Sequence, residues 1–186
     1  MKRTLLLVTI LFCIGSGKSM AQWSILPQVS LGSLNYSYKA PNPYKYESGS
    51  GIFAGLDVLA RYNIKEALAF DGGIGLRYHS CSDSLEAGNI TYVPVFVGVK
   101  WGEELFIEGR IGYNMPLNSS GLGYITGWFA SIGAGIGSDN IAIGATVDML
   151  HLFGSKTLLY VPTGYLPVNS GYGISLFLEF KIPIND

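Results

Sequence analysis

The stretch GYGISLFLEFKIPI, Gly171 to Ile184, decides the fold. Every second residue is apolar: Tyr172, Ile174, Leu176, Leu178, Phe180, Ile182 and Ile184. Between them stand Gly173, Ser175, Phe177, Glu179, Lys181 and Pro183. A period of two is the signature of a β-strand with one apolar face and one mixed face. The run is roughly twice the length of a strand in a soluble protein. A strand of about 9–11 residues tilted near 45° crosses the hydrocarbon of a bilayer. The segment therefore reads as the last strand of a transmembrane barrel, and the rest of the chain must supply the others.

Working outward, seven further segments alternate in the same way. They run from about Trp23 to Tyr38, Ile52 to Tyr62, Leu68 to Tyr78, Ile90 to Trp101, Leu105 to Asn114, Trp128 to Gly137 and Ile141 to Met149. In the first, the apolar phase changes after Gly32-Ser33 to Leu34, Tyr36 and Tyr38, which predicts a bulge at that pair. Short turns at 63–67, 102–104 and 138–140 alternate with long loops at 39–51, 80–89, 116–125 and 150–170. An even number of strands, with short turns at one rim and long loops at the other, is the pattern of an outer-membrane barrel. The expected fold is an all-β, eight-stranded antiparallel up-and-down transmembrane β-barrel, with both termini on the periplasmic, short-turn side.

The N-terminal residues are a separate element. Lys2 and Arg3 precede an apolar core from Leu5 to Ile14, and Ser19-Met20-Ala21 is a small-x-small cleavage site. Residues 1–21 are expected to be a secretory signal peptide and 22–186 the barrel domain. Without Lys2, Arg3 and Lys18, nine basic residues face thirteen acidic ones. That leaves no basic patch for nucleic acid. Cys81 is the only cysteine after the signal, so neither an internal disulfide nor a cysteine metal site is expected. The chain is exported and hydrophobic, and it has no apolar run long enough for a mature spanning helix. A closed barrel reconciles these properties.

Composition decides which face meets lipid. A soluble barrel also alternates, but its exterior would be dense in Lys and Glu. Here the mixed face holds one or two charges per strand among Gly, Ala, Ser and Thr, so the large aliphatic residues are placed outside. Trp23, Tyr62, Phe70, Trp101 and Phe180 fall near the short-turn ends of their strands. Tyr36, Tyr78, Tyr113, Trp128 and Tyr172 fall near the long-loop ends. Two such sets form aromatic girdles at the two membrane interfaces.

With its Ala21-Gln22 signal junction and Gly-rich strands, the mature chain resembles the small outer-membrane barrels of the OmpX and OmpA-barrel type. It is similar in particular to the outer membrane protein β-barrel domain proteins of Bacteroidota, including the PorT-like group. It ends Pro183-Ile184-Asn185-Asp186 rather than on an aromatic residue. The resemblance implies the outer membrane, surrounding lipid and the barrel-assembly machinery as partners, and a monomer. Such families are functionally mixed, so the resemblance does not fix a role.

The candidate chemistry is sparse. Gly73-x-Gly75 and Gly133-x-Gly135-x-Gly137 lack the strand-turn-helix setting of a phosphate loop. His79, Ser80, Ser82 and Asp83 have the residue types of a rim enzyme acting on lipid A, but no third orienting group accompanies them. His79 and His151 are isolated as metal ligands. No catalytic, cofactor or metal residues are therefore assigned. The mixed face carries Asp57, Arg61, Asp71, Arg77, Lys100, Glu108, Arg110, Asp148, Glu179 and Lys181, five acids and five bases. An eight-stranded barrel has little lumen beyond its own side chains, so this balance predicts internal ion pairs. Arg61 is expected diagonally across from Asp71, and Lys100 diagonally across from Glu108. In the last long loop, Leu159 and Tyr160 are apolar enough to mark a partner contact or a protruding hairpin. The expected role is non-catalytic, either envelope structure or a surface interaction through the loops. The alternatives are a narrow small-solute channel and a lipid A-modifying rim enzyme.

Overall fold

The computed structural model describes residues 23–39, 46–65, 67–81, 89–117, 124–150, 157–161 and 164–184, some of them at strand ends by backbone alone. The expected signal peptide, residues 1–21, lies outside these residues. The strands are β1 (Trp23–Lys39), β2 (Tyr46–Lys65), β3 (Leu68–Cys81), β4 (Asn89–Gly102) and β5 (Leu105–Pro116). They continue with β6 (Tyr124–Gly137), β7 (Ile141–Leu150), β8 (Thr157–Val161), β9 (Gly164–Phe180) and β10 (Ile182–Ile184). From β1 to β7 each strand pairs antiparallel with the next; β7 pairs with β9, and β9 returns to β1. β10 continues β9 in the same register against β1, where Trp23 faces Ile184. The result is a closed barrel of eight staves. Among the described residues no helix is long and apolar enough to cross a membrane, and the long elements are strands.

The register gives the tilt. Ile25 pairs with Ala60, then the path runs through Gly72, Val97, Ile111, Ala130, Met149 and Tyr172, and it re-enters β1 at Asn35. One circuit thus climbs ten residues along the first strand. With eight strands this stagger corresponds to a tilt of about 40° from the barrel axis.

Side chains sort by parity, as strand geometry demands. Val97 is 61% exposed and Ile143 53% exposed, and most other large aliphatics of that phase are exposed with them. An exterior of large aliphatic side chains between aromatic ends is a lipid-facing belt. At the short-turn end, the Trp23 and Tyr62 rings meet at a tilt of 48° with centroids 5.0 Å apart, and Phe70, Trp101 and Phe180 are also exposed. At the other end, Tyr113 and Trp128 meet edge to face at 5.6 Å, and Tyr78 and Tyr172 are also exposed. The Tyr36 side chain is outside the described residues.

Two expectations about the wall are corrected. There is no bulge at Gly32-Ser33: the β1–β2 register is unbroken from Trp23 to Lys39, and the shift lies higher, between Ser37 and Tyr38 against β9. Leu34 keeps the inward phase and is 2% exposed, because it helps to fill the upper lumen beside Phe53, Tyr92 and Phe129. The long loops are also shorter than expected. β2 begins at Tyr46 rather than Ile52, and within 150–170 the expected protruding hairpin is present: β8 pairs with both β9 and the start of β6. Above the end of β7, β8 continues the wall. Leu159 and Tyr160 lie on this strand, and their side chains are outside the described residues.

The short turns are tied to one another. The Gly102 amide donates to the Ala67 carbonyl at 2.8 Å, that of Gly137 to Glu104 at 2.7 Å, and that of Lys181 to Asn140 at 2.8 Å. Gly102 has φ +111°, where a side chain is strained, and a Cβ there would strike the Leu105 carbonyl oxygen.

Candidate functional site

The lumen is the only enclosed chemistry the described residues offer, and it is organised in two charge clusters. The first lies toward the short turns. Arg61 of β2 is directly opposite Asp71 of β3 in the ladder, not diagonal to it. Its Nε and Nη2 donate to the two Asp71 carboxylate oxygens at 2.7 and 2.9 Å. Its Nη1 and Nη2 donate to the two Glu179 oxygens at 2.7 and 3.1 Å. One guanidinium therefore forks onto two buried carboxylates, an arrangement that its planar donor set favours.

The second cluster lies near mid-barrel. Arg77 binds Asp57 through Nη2 at 2.5 Å and donates from Nη1 to the Ser30 hydroxyl. Arg110 lies 2.9 Å from Glu108 Oε1 and donates to the Gln28 side-chain oxygen at 3.0 Å. Asp148 lines the same space opposite Ser131, and Thr146 and Ser175 share a 2.8 Å hydrogen bond. Small residues make room for these groups: Gly75 leaves its space to the Asp57 carboxylate, and Gly55 to the Arg77 side chain.

The expected pairing of Lys100 with Glu108 does not form. The two are directly opposite in the β4–β5 ladder, but Glu108 turns to Arg110. The Lys100 ammonium lies instead over the Phe106 ring, 3.9 Å from its centroid. Among the described residues Lys100, Asp148 and Lys181 make no ion pair; Lys181 stands at the short-turn mouth.

Aromatic rings complete the lumen, and sequence reasoning missed their part. Arg77 lies over Phe53 at 5.5 Å, and Arg110 over Phe96 at 5.1 Å and Phe177 at 6.0 Å. Such contacts hold a cation at a ring face where no further carboxylate is available. The rings in turn lie on glycines. A Cβ on Gly73 would come within 2.7 Å of Phe96, one on Gly135 within 2.6 Å of Phe106, and one on Gly144 within 2.5 Å of Phe177. The signal was present in the sequence as phenylalanine on the wrong phase, for example Phe96 between Val95 and Val97 and Phe106 between Leu105 and Ile107.

The void that remains at mid-barrel is about 20 Å³, bounded by Arg77, Arg110, Phe53, Phe96 and Asp148. A cavity needs about 10–15 Å³ of this kind to hold one water. Toward the short turns the lumen widens into a vestibule of about 560 Å³.

Other candidates are dispersed. His79 is fully buried and inward, while Ser80 is exposed on the outer face, so the two do not face each other. Ser82, Asp83 and His151 are outside the described residues. Among the described residues no three His, Cys, Asp or Glu side chains are placed to hold a metal.

Comparison with known proteins agrees with the architecture. No family model matches the chain, and neither does any curated protein. Among solved structures, the outer membrane protein AlkL in lipid bilayers is 12% identical, over 92% of this chain and 94% of its own, with a TM-score of 0.52. The outer membrane protein OprG from Pseudomonas aeruginosa is 11% identical over 87% of this chain and 96% of its own, with a TM-score of 0.43. A designed transmembrane β-barrel is 15% identical over 84% and 95%, at 0.39. At these identities the likeness is one of fold, and the AlkL match carries it.

Proposed function

We propose that this chain is an outer-membrane barrel protein with a closed lumen and no catalytic role, serving envelope structure or a surface interaction through its loops. Its termini and short turns face the periplasm, its partners are outer-membrane lipid and the assembly machinery, and it acts as a monomer of the OmpX/OmpA-barrel type. The observation that carries the closed lumen is the mid-barrel void of about 20 Å³ between Arg77, Arg110, Phe53 and Phe96. Room for about one water is too little for a hydrated solute. The lipid-facing belt and its two girdles support the membrane location.

The vestibule of about 560 Å³ favours a second reading, a narrow channel for small solutes. Recording from purified protein in a planar bilayer separates the two. The closed-lumen reading expects no steady conductance. A stable, ion-selective current would replace it with the channel. Deleting the gene and measuring sensitivity to detergents then tests the envelope role, which unchanged sensitivity would remove.

A further inference from the structure

The short-turn vestibule is a cup with a distinctive arrangement of charge. Beyond it, Phe106 and Phe177 are buried with centroids 6.3 Å apart and close the lumen. Glu179, the acid on its inner wall, is taken by Arg61, whose remaining donors hold Asp71, through four hydrogen bonds in all. Arg61 has five N–H donors in all, so it offers almost nothing to a ligand. Lys100 and Lys181 line the same cup, and among the described residues neither makes an ion pair. At the lip, Glu103 and Glu104 of the β4–β5 turn and Asp139 of the β6–β7 turn are exposed. Among the described residues the cup thus has two ammonium groups outside any ion pair, Lys100 on its wall over Phe106 and Lys181 at its mouth, and three exposed carboxylates at its lip.

We propose that this cup binds a short peptide with a free carboxylate and a cationic end, the carboxylate on Lys100 and Lys181 and the cation at the lip. Counting the charges that line it, the cup has three bases and four acids, so a simple anion meets a net negative charge. A simple cation leaves both ammonium groups unsatisfied. A zwitterion with one extra positive charge answers both sets. A single amino acid is too short. Lys100 lies two residues inside the end of β4 at Gly102, about 7 Å of strand, and the lip carboxylates stand beyond that end. Ala69 and Ala142, on the inward phase, give the wall apolar patches for a peptide's carbon skeleton. The volume of about 560 Å³ is that of a small-ligand site. The proposal stands whether or not the lumen conducts.

The test is calorimetric titration of the full chain, folded in lipid nanodiscs at low salt, with the tripeptide Lys-Leu-Gly bearing free termini. Saturable one-to-one binding is expected. Amidating the peptide's carboxylate, or Lys100→Met, which keeps an unbranched side chain but removes the ammonium over Phe106, should each weaken it about tenfold by removing a charge-assisted hydrogen bond. Lys181→Met should weaken it too, and so should Glu103→Gln with Glu104→Gln. A gel-mobility shift on heating checks that each variant is folded. The proposal is overturned by absent saturation, by equal affinity for the amidated peptide, by unchanged affinity in folded Lys100→Met, or by acetate binding as tightly as the tripeptide.

Discussion

Arg61 and Glu179, 118 positions apart in the chain, are joined by two hydrogen bonds of 2.7 and 3.1 Å that reach over β1 from β2 to β9. The contact clamps the seam where the last stave meets the first, and Asp71 holds the other side of the same guanidinium. Arg61→Ala leaves two carboxylates buried without a partner and should destabilise the barrel by about 3–5 kcal/mol. Arg61→Met combined with Glu179→Gln should cost less than the sum of the two single changes. Urea unfolding in lipid vesicles measures both, and additive costs would break the assignment.

Glu108 provides a second cycle. Because it meets Arg110 rather than the Lys100 opposite it, the coupling of Glu108→Gln with Arg110→Met should be clearly non-additive, of about 0.5–3 kcal/mol. The coupling of Glu108→Gln with Lys100→Met should be the smaller of the two. A reversed order in the same unfolding assay would place Lys100 in the ion pair and the ring contact in second place.

The belt makes a claim about depth. Val97→Arg and Ile143→Arg each put a charge among acyl chains and should cost roughly 2–4 kcal/mol. Glu103→Arg, in a turn, should cost little. Folding efficiency into bilayers compares the three, and equal penalties would mean that the exposed aliphatic face is not the lipid face.

Glycines divide by face. A Cβ on Gly112 would lie 2.7 Å from both Phe129 and Phe96, so Gly112→Ala should cost about 1–3 kcal/mol through overpacking. Gly109 points outward with nothing near a new Cβ, so Gly109→Ala should be neutral or stabilise by up to about 1 kcal/mol. Thermal unfolding in micelles ranks the pair. If the two variants melt together, the glycines of the inner face are not making room for rings.

The sequence by itself determined the staves, their antiparallel order and the face that meets lipid. A period of two survives in each strand whatever its neighbours do, and the scarcity of charge on the mixed face separates this barrel from a soluble one. The alternation also placed Arg61 beside Asp71, because strands joined by a short turn have a nearly fixed register. Only the tertiary structure decided what crosses the lumen. Arg61 reaches Glu179 and Arg110 reaches Gln28 because closure with a stagger of ten residues sets non-neighbouring strands side by side. No local pattern encodes that stagger. Leu34 shows the same limit: the sequence reads it as a change of phase, and it becomes an inward residue once Phe53, Tyr92 and Phe129 arrive from three other strands to surround it. Lys100 was legible as inward but not as paired, since the choice between Glu108 and the Phe106 ring depends on where Arg110 lies.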